Sequence, residues 1–315
     1  MMRTMLLVPR HAWFLGIALN FAACAHAPEP AAPPSTNAAA TAGAPAGGAE
    51  SAAIRDGVLT AADGVNIHYR EGGRGEIALF FLHGWLGDAH WWDEQLTQFA
   101  PRYRVVAMDI AGHGESGKER KASTYQTAAA DAHAIADKLG LKRIVWIGHS
   151  MSGEIIIEAA NRLPDRTACL IPIDTLKEIG GPASREETDA FFAPLQKDFV
   201  PNAQGILKKA FVASSPESVV RRVLDGVATM KPEVVIPILR SGFSYDARTE
   251  IRKVKAPIVA VNSDIQPTKL EENRKYAPQF EVIVMKNVGH WPMLERAGEF
   301  DSLLQQAIDR GTAKR

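Results

Sequence analysis

From about Ile54 onward the apolar residues fall in two alternating rhythms. Continuous apolar runs, short and rich in β-branched and aromatic residues, occur at Ile77 to Leu82, Tyr103 to Met108, Ile144 to Ile147, Thr167 to Ile173, Pro257 to Val261 and Phe280 to Met285. Runs of that length without polar alternation fit strands buried on both faces. Between them apolar positions recur at helical spacing over Trp91 to Phe99, Thr124 to Leu139, Ile155 to Leu163, Lys269 to Tyr276 and about Arg296 to Asp309. Gly140 and Pro164 supply stops for two of these helices. Ahead of them, Val58-Leu59-Thr60 and Val65 to Arg70 flank Asp63-Gly64, a hairpin turn signal. A hairpin followed by alternating strands and helices predicts a mostly parallel sheet covered by helices on both faces. Ligands in such sheets bind at the carboxyl ends of the strands.

The alternation breaks after Ile173. Residues 176–246 hold four amphipathic segments instead, at roughly Arg185–Val200, Ala203–Val212, Glu217–Met230 and Glu233–Phe243. Pro216 and Pro232 stand near two of the starts, where a missing N–H costs a helix nothing. This stretch reads as a helical lid inserted into a core made of residues 54–175 and 247–315. Its aromatic residues, Phe191, Phe192, Phe199, Phe211, Phe243 and Tyr245, either roof an apolar pocket or dock the lid.

The first 53 residues follow neither rhythm. Arg3 and Arg10 precede an apolar run from Ala12 to Ala23, too short for a comfortable membrane span and ending in small residues, so residues 1–23 read as an export signal. Two processing routes are open. Phe21-Ala22-Ala23-Cys24 resembles the lipobox of bacterial lipoproteins, with Phe21 where that motif prefers an aliphatic residue; cleavage there would leave Cys24 to carry lipid. The other route is soluble secretion after an Ala-x-Ala. Ala25 gives no sign of inner-membrane retention, which favours the outer membrane. Residues 24–53 are Ala, Pro, Gly, Ser and Thr with almost no large apolar side chain, the composition of a disordered tether. Lipidation or removal of Cys24 leaves Cys169 as the remaining cysteine, in an apolar run that suits a small buried side chain.

Composition narrows the partners. The 36 basic and 36 acidic residues cancel, so nothing points to an electrostatic grip on nucleic acid or on an acidic membrane. Membrane contact is expected only through the lipid anchor. No metal-ligand spacing or phosphate-cradling loop is present, and Gly72-Gly73-Arg74-Gly75 does not open a helix, so no cofactor and no metal are expected.

The chemistry concentrates at the strand ends. Ile144 to Ile147 runs into Gly148-His149-Ser150-Met151-Ser152-Gly153 and then a helix. A strained strand-to-helix turn needs small neighbours, and it would expose the Ser150 hydroxyl. An ordinary Gly/Ser-rich loop has the same composition, so the other strand ends decide. They carry His83-Gly84-Trp85, Asp109-Ile110-Ala111-Gly112-His113-Gly114-Glu115-Ser116 and Val288-Gly289-His290-Trp291-Pro292. With these four motifs in this order, the chain from about Gly57 onward resembles the α/β-hydrolase superfamily, in its lidded, esterase-like branch.

That resemblance implies an α/β-hydrolase fold and a serine hydrolase acting on a small-molecule ester, thioester or lactone. Ser150 would be the nucleophile and His290 its base. The orienting acid is expected at Asp264, after the strand Ile258 to Val261, although Asn262-Ser263-Asp264-Ile265 brings it about one residue early; Asp174, after the preceding strand, is the alternative. The backbone N–H groups of Trp85 and Met151 would form the oxyanion hole. His83, Gly84, Trp85 and Trp291 are the expected substrate-binding residues. Carbon–carbon bond hydrolysis or perhydrolysis by the same triad, and ligand binding without turnover, are the rival readings.

Overall fold

Eight strands build one sheet in the computed structural model, which describes residues 53–120 and 122–313. They are β1 (Arg55–Thr60), β2 (Asn66–Gly73), β3 (Ile77–Leu82), β4 (Arg104–Met108), β5 (Arg143–His149), β6 (Thr167–Ile173), β7 (Ile258–Ser263) and β8 (Phe280–Met285). Their order across the sheet is β1-β2-β4-β3-β5-β6-β7-β8. β1 and β2 form the hairpin about Asp63-Gly64, and β2 runs antiparallel to β4. Every later pairing is parallel. The fully apolar runs are the central strands: Leu79 to Leu82 and Ile144 to Ile147 have no exposed surface, as expected for strands covered on both faces. The expected export signal, Cys24 and the expected tether up to residue 52 lie outside the described residues.

Helices α1 (Asp93–Phe99), α2 (Tyr125–Lys138) and α3 (Ser152–Arg162) connect the first parallel strands. α2 begins where Thr124 caps it, its hydroxyl accepting the Thr127 N–H and the Thr127 side chain returning to the Thr124 N–H. Ahead of α1 the chain forms a tight turn of 3-10 helix at Ala89–Trp92, so the helix expected from Trp91 starts two residues later. Asp109 causes this: its Oδ1 accepts the Ala89 N–H at 2.6 Å and holds the entry to the turn.

Between β6 and β7 the chain forms the helical insertion, with α4 (Arg185–Lys197), α5 (Phe199–Lys208), α6 (Glu217–Gly226) and α7 (Pro232–Phe243). The segment read as one helix over Arg185–Val200 breaks at Asp198, whose backbone is extended. Pro201 favours the break, although Pro194 is carried inside α4. Inside a continuous helix it would have no N–H for the carbonyl of residue 197, whereas a restart at Phe199 puts it in the first turn, where that donor is not needed. Phe191, Phe192 and Phe243 pack against one another at 4.9–5.0 Å between ring centres, so these three aromatics fasten the insertion together. Helices α8 (Ala247–Ile251), α9 (Leu270–Arg274), α10 (Pro292–Glu295) and α11 (Ala297–Thr312) complete the covering layers.

Candidate active site

The turn between β5 and α3 is as tight as its small residues suggest. Ser150 has φ 53°, in the left-handed region that side chains other than glycine rarely adopt. A Cβ on Gly148 would collide with the Ser152 carbonyl, so the crossing of strand and helix requires glycine there. The strained turn is anchored at both sides: the Ser150 N–H donates to the Ile173 carbonyl at 3.0 Å, and the Ser152 hydroxyl to the His83 carbonyl at 2.5 Å. This second bond ties the turn to the loop after β3. Gly84 in that loop passes so close that a Cβ on it would lie 3.1 Å from Ser150 Cβ. Trp85 follows Gly84 and Met151 follows Ser150, so both expected donors stand next to residues at the turn, and among the described residues neither N–H donates to a main-chain carbonyl outside the helices and strands.

Ser150 Oγ lies 2.8 Å from His290 Nε2, and His290 Nδ1 lies 2.6 Å from Asp174 Oδ2. An ionised carboxylate only accepts, so the Nδ1 proton donates to Asp174 and Nε2 is left to accept the serine hydroxyl. The acid on His290 is thus Asp174, the alternative, and not Asp264. Asp264 is exposed, and its Oδ1 takes the Asn287 N–H at 2.9 Å. The reason lies in the backbone. Asp174 has φ 45°, which bends the chain sharply at the end of β6, and its N–H donates to the Val261 carbonyl of neighbouring β7. Its other oxygen, Oδ1, accepts the Ser263 N–H at 2.7 Å and meets Lys177 Nζ at 2.8 Å. Burial works to raise the pKa of Asp174, but the Lys177 charge and then the His290 bond outweigh it and hold the carboxyl far below the usual carboxylate range.

The loop that carries His290 is held by a buried acid that sequence reasoning did not single out. Glu295 Oε2 accepts the Gly289 N–H at 2.9 Å and Oε1 the Trp291 N–H at 3.1 Å, one on each side of His290. A Cβ on Gly289 would strike this carboxylate. The insertion reaches the same loop. The Ser215 hydroxyl donates to Glu295 Oε2 at 2.6 Å, the Ala210 carbonyl accepts the His290 N–H at 2.9 Å, and Phe211 stacks on Trp291 at 4.3 Å. His149, next to the serine, donates Nε2–H to the His290 carbonyl at 2.7 Å. Burial and then the neighbouring His290 push the His149 pKa down to about 3, so it stays neutral in this role.

The remaining expected residues divide. His83 is fully buried, with Nδ1–H donating to the Gly84 carbonyl and Nε2 accepting the Ile110 N–H, so its side chain braces the loop and presents no face to a ligand. The Trp85 indole N–H donates to the Val235 carbonyl of α7 at 2.9 Å, and its ring meets Phe199 edge-on. Trp291 is 1% exposed and lies under the insertion through Phe211. Asp109 ties together the turn at Ala89, the loop at Glu115 and strand β2 through the Ala89 and Glu115 N–H groups and His68 Nδ1. Cys169 is buried as expected, its thiol pushed up to about 12 by burial. No group of His, Cys, Asp and Glu among the described residues could hold a metal ion.

A sheet with this strand order, a serine on a strained turn after β5, an acid after β6 and a histidine after β8 define a class. Residues 79–302 match the Alpha/beta hydrolase family, and the chain belongs to it. It is 25% identical over 259 residues to the strigolactone esterase of Arabidopsis thaliana, covering 78% of this chain and 97% of that one. It is 36% identical over 126 residues to a non-heme chloroperoxidase of Streptomyces lividans, covering 39% of this chain and only 46% of that enzyme. Among solved structures, a thermophilic esterase from Thermogutta terrifontis superposes with a TM-score of 0.72 at 21% identity, over 82% of this chain and 100% of that one; at that identity the likeness speaks for the fold alone. A bacterial membrane phospholipase A superposes with a TM-score of 0.68 at 26% identity, over 84% of this chain and 89% of that one. The family and these relatives support a hydrolase.

Proposed function

We propose that the chain is a serine hydrolase that cleaves a carboxylic ester, thioester or lactone through an acyl-enzyme. The observation that carries the reading is the continuous hydrogen-bonded line from Ser150 Oγ through His290 to Asp174. Ser150 Oγ attacks the carbonyl carbon while His290 Nε2 takes its proton. The oxygen that gains charge faces the N–H groups of Trp85 and Met151, each such donor contributing on the order of 10²–10³ in rate. The leaving group takes the proton back from Nε2. Water then attacks the acyl-enzyme with His290 again as base, and Ser150 is released. Asp174 holds the proton on Nδ1 and balances the imidazolium charge in both steps.

The test is covalent. The full chain should react with a fluorophosphonate probe and hydrolyse p-nitrophenyl esters, and Ser150→Ala should do neither. Labelling that survives the substitution would remove Ser150 from the role.

A second reading keeps the acyl-enzyme and lets a peroxide attack it in place of water, giving a peracid. The match to the chloroperoxidase favours it. Peracid formation from an ester and hydrogen peroxide, measured beside hydrolysis, separates the two. The export signal and Cys24 carry one further part of the reading, attachment to the cell envelope by lipid at that cysteine. No helix among the described residues is long and apolar enough to cross a membrane. Metabolic labelling with a radioactive fatty acid, lost in Cys24→Ser, tests it.

A further inference from the structure

The acid behind His290 shares its charge with a buried cation. Lys177 is 4% exposed, and its Nζ lies 2.8 Å from Asp174 Oδ1 and 3.0 Å from Ser263 Oγ. Lysine is rarely buried to this degree without a counter-ion, because taking an ammonium out of water is costly. Here the counter-ion is the carboxylate that serves His290 through its other oxygen. The loop is built to deliver the lysine. Asp174 and Leu176 both have positive φ, 45° and 51°, and this double bend turns Lys177 back beneath the carboxylate. The bend is locked by bonds from Asn273 Nδ2 to the Leu176 carbonyl at 2.6 Å, from the Lys269 N–H to the Lys177 carbonyl at 2.7 Å, and from the Thr175 N–H to Asn262 Oδ1 at 3.1 Å.

The pairing changes the charge count of the site. With an aspartate alone, the resting cluster carries one negative charge, and a proton on His290 neutralises it. With Lys177 present, the resting cluster of lysine, aspartate and neutral histidine carries none. A proton on His290 then gives these three groups a net positive charge, which the developing substrate oxyanion offsets. The cation therefore opposes protonation of His290 by solvent more than protonation by Ser150 during attack.

We propose that Lys177 is a positioning residue: it fixes Asp174 for His290, and its charge extends toward acid the pH range in which His290 can accept the Ser150 proton. The inference rests on the serine hydrolase reading. Other groups around the pair leave this role to Lys177. His149 faces His290 from β5 and stays neutral. Glu295 of α10 reaches the main-chain N–H groups beside His290, and the insertion offers the Ala210 carbonyl and the Phe211 ring to the same loop. From β7, Ser263 offers its N–H to Asp174 and its hydroxyl to Lys177.

The test is kcat/KM against pH for the full chain on p-nitrophenyl acetate. Lys177→Met should move the acid limb to higher pH by about one unit, with the plateau falling by less than about tenfold. Ser263→Ala, which removes a hydroxyl beside Lys177 but keeps its charge, should leave the limb in place whatever happens to the plateau. A Lys177→Met enzyme that is slower at every pH with an unmoved limb would overturn the proposal and leave Lys177 a packing role. So would failure of both Lys177→Met and Lys177→Gln to fold, which would assign the lysine to stability. Hydrolysis that does not depend on Ser150 in the parent chain would instead overturn the hydrolase reading beneath it.

Discussion

Replacing Asp174 by Asn keeps the shape of the site and removes one charge. The carboxylate lies 2.6 Å from His290 Nδ1, so the charge centres of aspartate and imidazolium are about 4 Å apart and their attraction is about 4 kcal/mol at an effective dielectric of 20. At about 1.4 kcal/mol per decade, its loss slows attack by Ser150 roughly 10³-fold. An asparagine that turns its NH₂ to Nδ1 would also favour the wrong tautomer and deepen the loss. Lys177 adds a second cost, because the substitution strands a buried ammonium; breaking such a pair destabilises by about 3–5 kcal/mol. Asp174→Asn should therefore lower kcat/KM for a p-nitrophenyl ester by about 10³ or more per folded molecule, and circular dichroism should show a lower melting temperature. Asp264→Asn is the control. Asp264 is exposed and bonds only a loop N–H, so its loss should change kcat/KM by no more than about threefold. An Asp264→Asn enzyme crippled a thousandfold beside an active Asp174→Asn enzyme would refute the reasoning.

Three further outcomes follow from the same geometry. Glu295→Gln keeps one acceptor oxygen and should lower stability by about 2 kcal/mol through the lost charged hydrogen bonds, read as a shifted urea midpoint, and should lower kcat more than it raises KM because His290 loses its brace. Gly148→Ala should give little folded protein on expression, since the new methyl meets the Ser152 carbonyl, a main-chain atom that cannot step aside. Glu154, in the first turn of α3, has its pKa pushed up to about 8 by burial, against which its bond to Tyr125 acts. Its folded pKa exceeds the unfolded value near 4.5, so its contribution to stability is complete below pH 4.5 and is lost as pH rises through 8. Glu154→Gln should flatten that decline in a series of thermal melts.

The parallel strands were legible because a strand buried on both faces leaves a dense apolar run, as at Phe80 and Phe81. The serine turn was legible because strain demands small neighbours. The choice between Asp174 and Asp264 was not, for a geometric reason. β6 and β7 are adjacent, so an acid at the end of either can reach toward His290, and the decision falls to the backbone bend at Asp174, which a non-glycine residue does not announce. Lys177 and Glu295 were equally silent, since in sequence each resembles a residue on a solvated face. One missed feature had a partial signal: Pro201 weakens a helix continuing through Asp198, although α4 and α7 each carry an interior proline, Pro194 and Pro237.

The insertion and the His290 loop cannot be treated as a cover and a site beneath it. Residues 210–215 give His290 a carbonyl, Trp291 a stacked ring and Glu295 a hydroxyl, and the Ser214 hydroxyl donates to the Asn287 carbonyl at 3.3 Å. Lifting this stretch would expose the aromatic stack and leave the His290 N–H without its acceptor, which costs about 1–3 kcal/mol for the N–H alone if no water replaces it. A substrate path that opens here would therefore disturb the base it must reach. The Trp85 indole bond to α7 makes a similar tie on the side of the expected oxyanion donors. Under the proposed reading, any selectivity the insertion imposes would thus be coupled to the geometry of His290 through the same few residues. A substitution in 210–215 that removes side-chain volume should alter kcat together with KM, whereas one confined to the Phe191, Phe192 and Phe243 cluster should act mainly on stability.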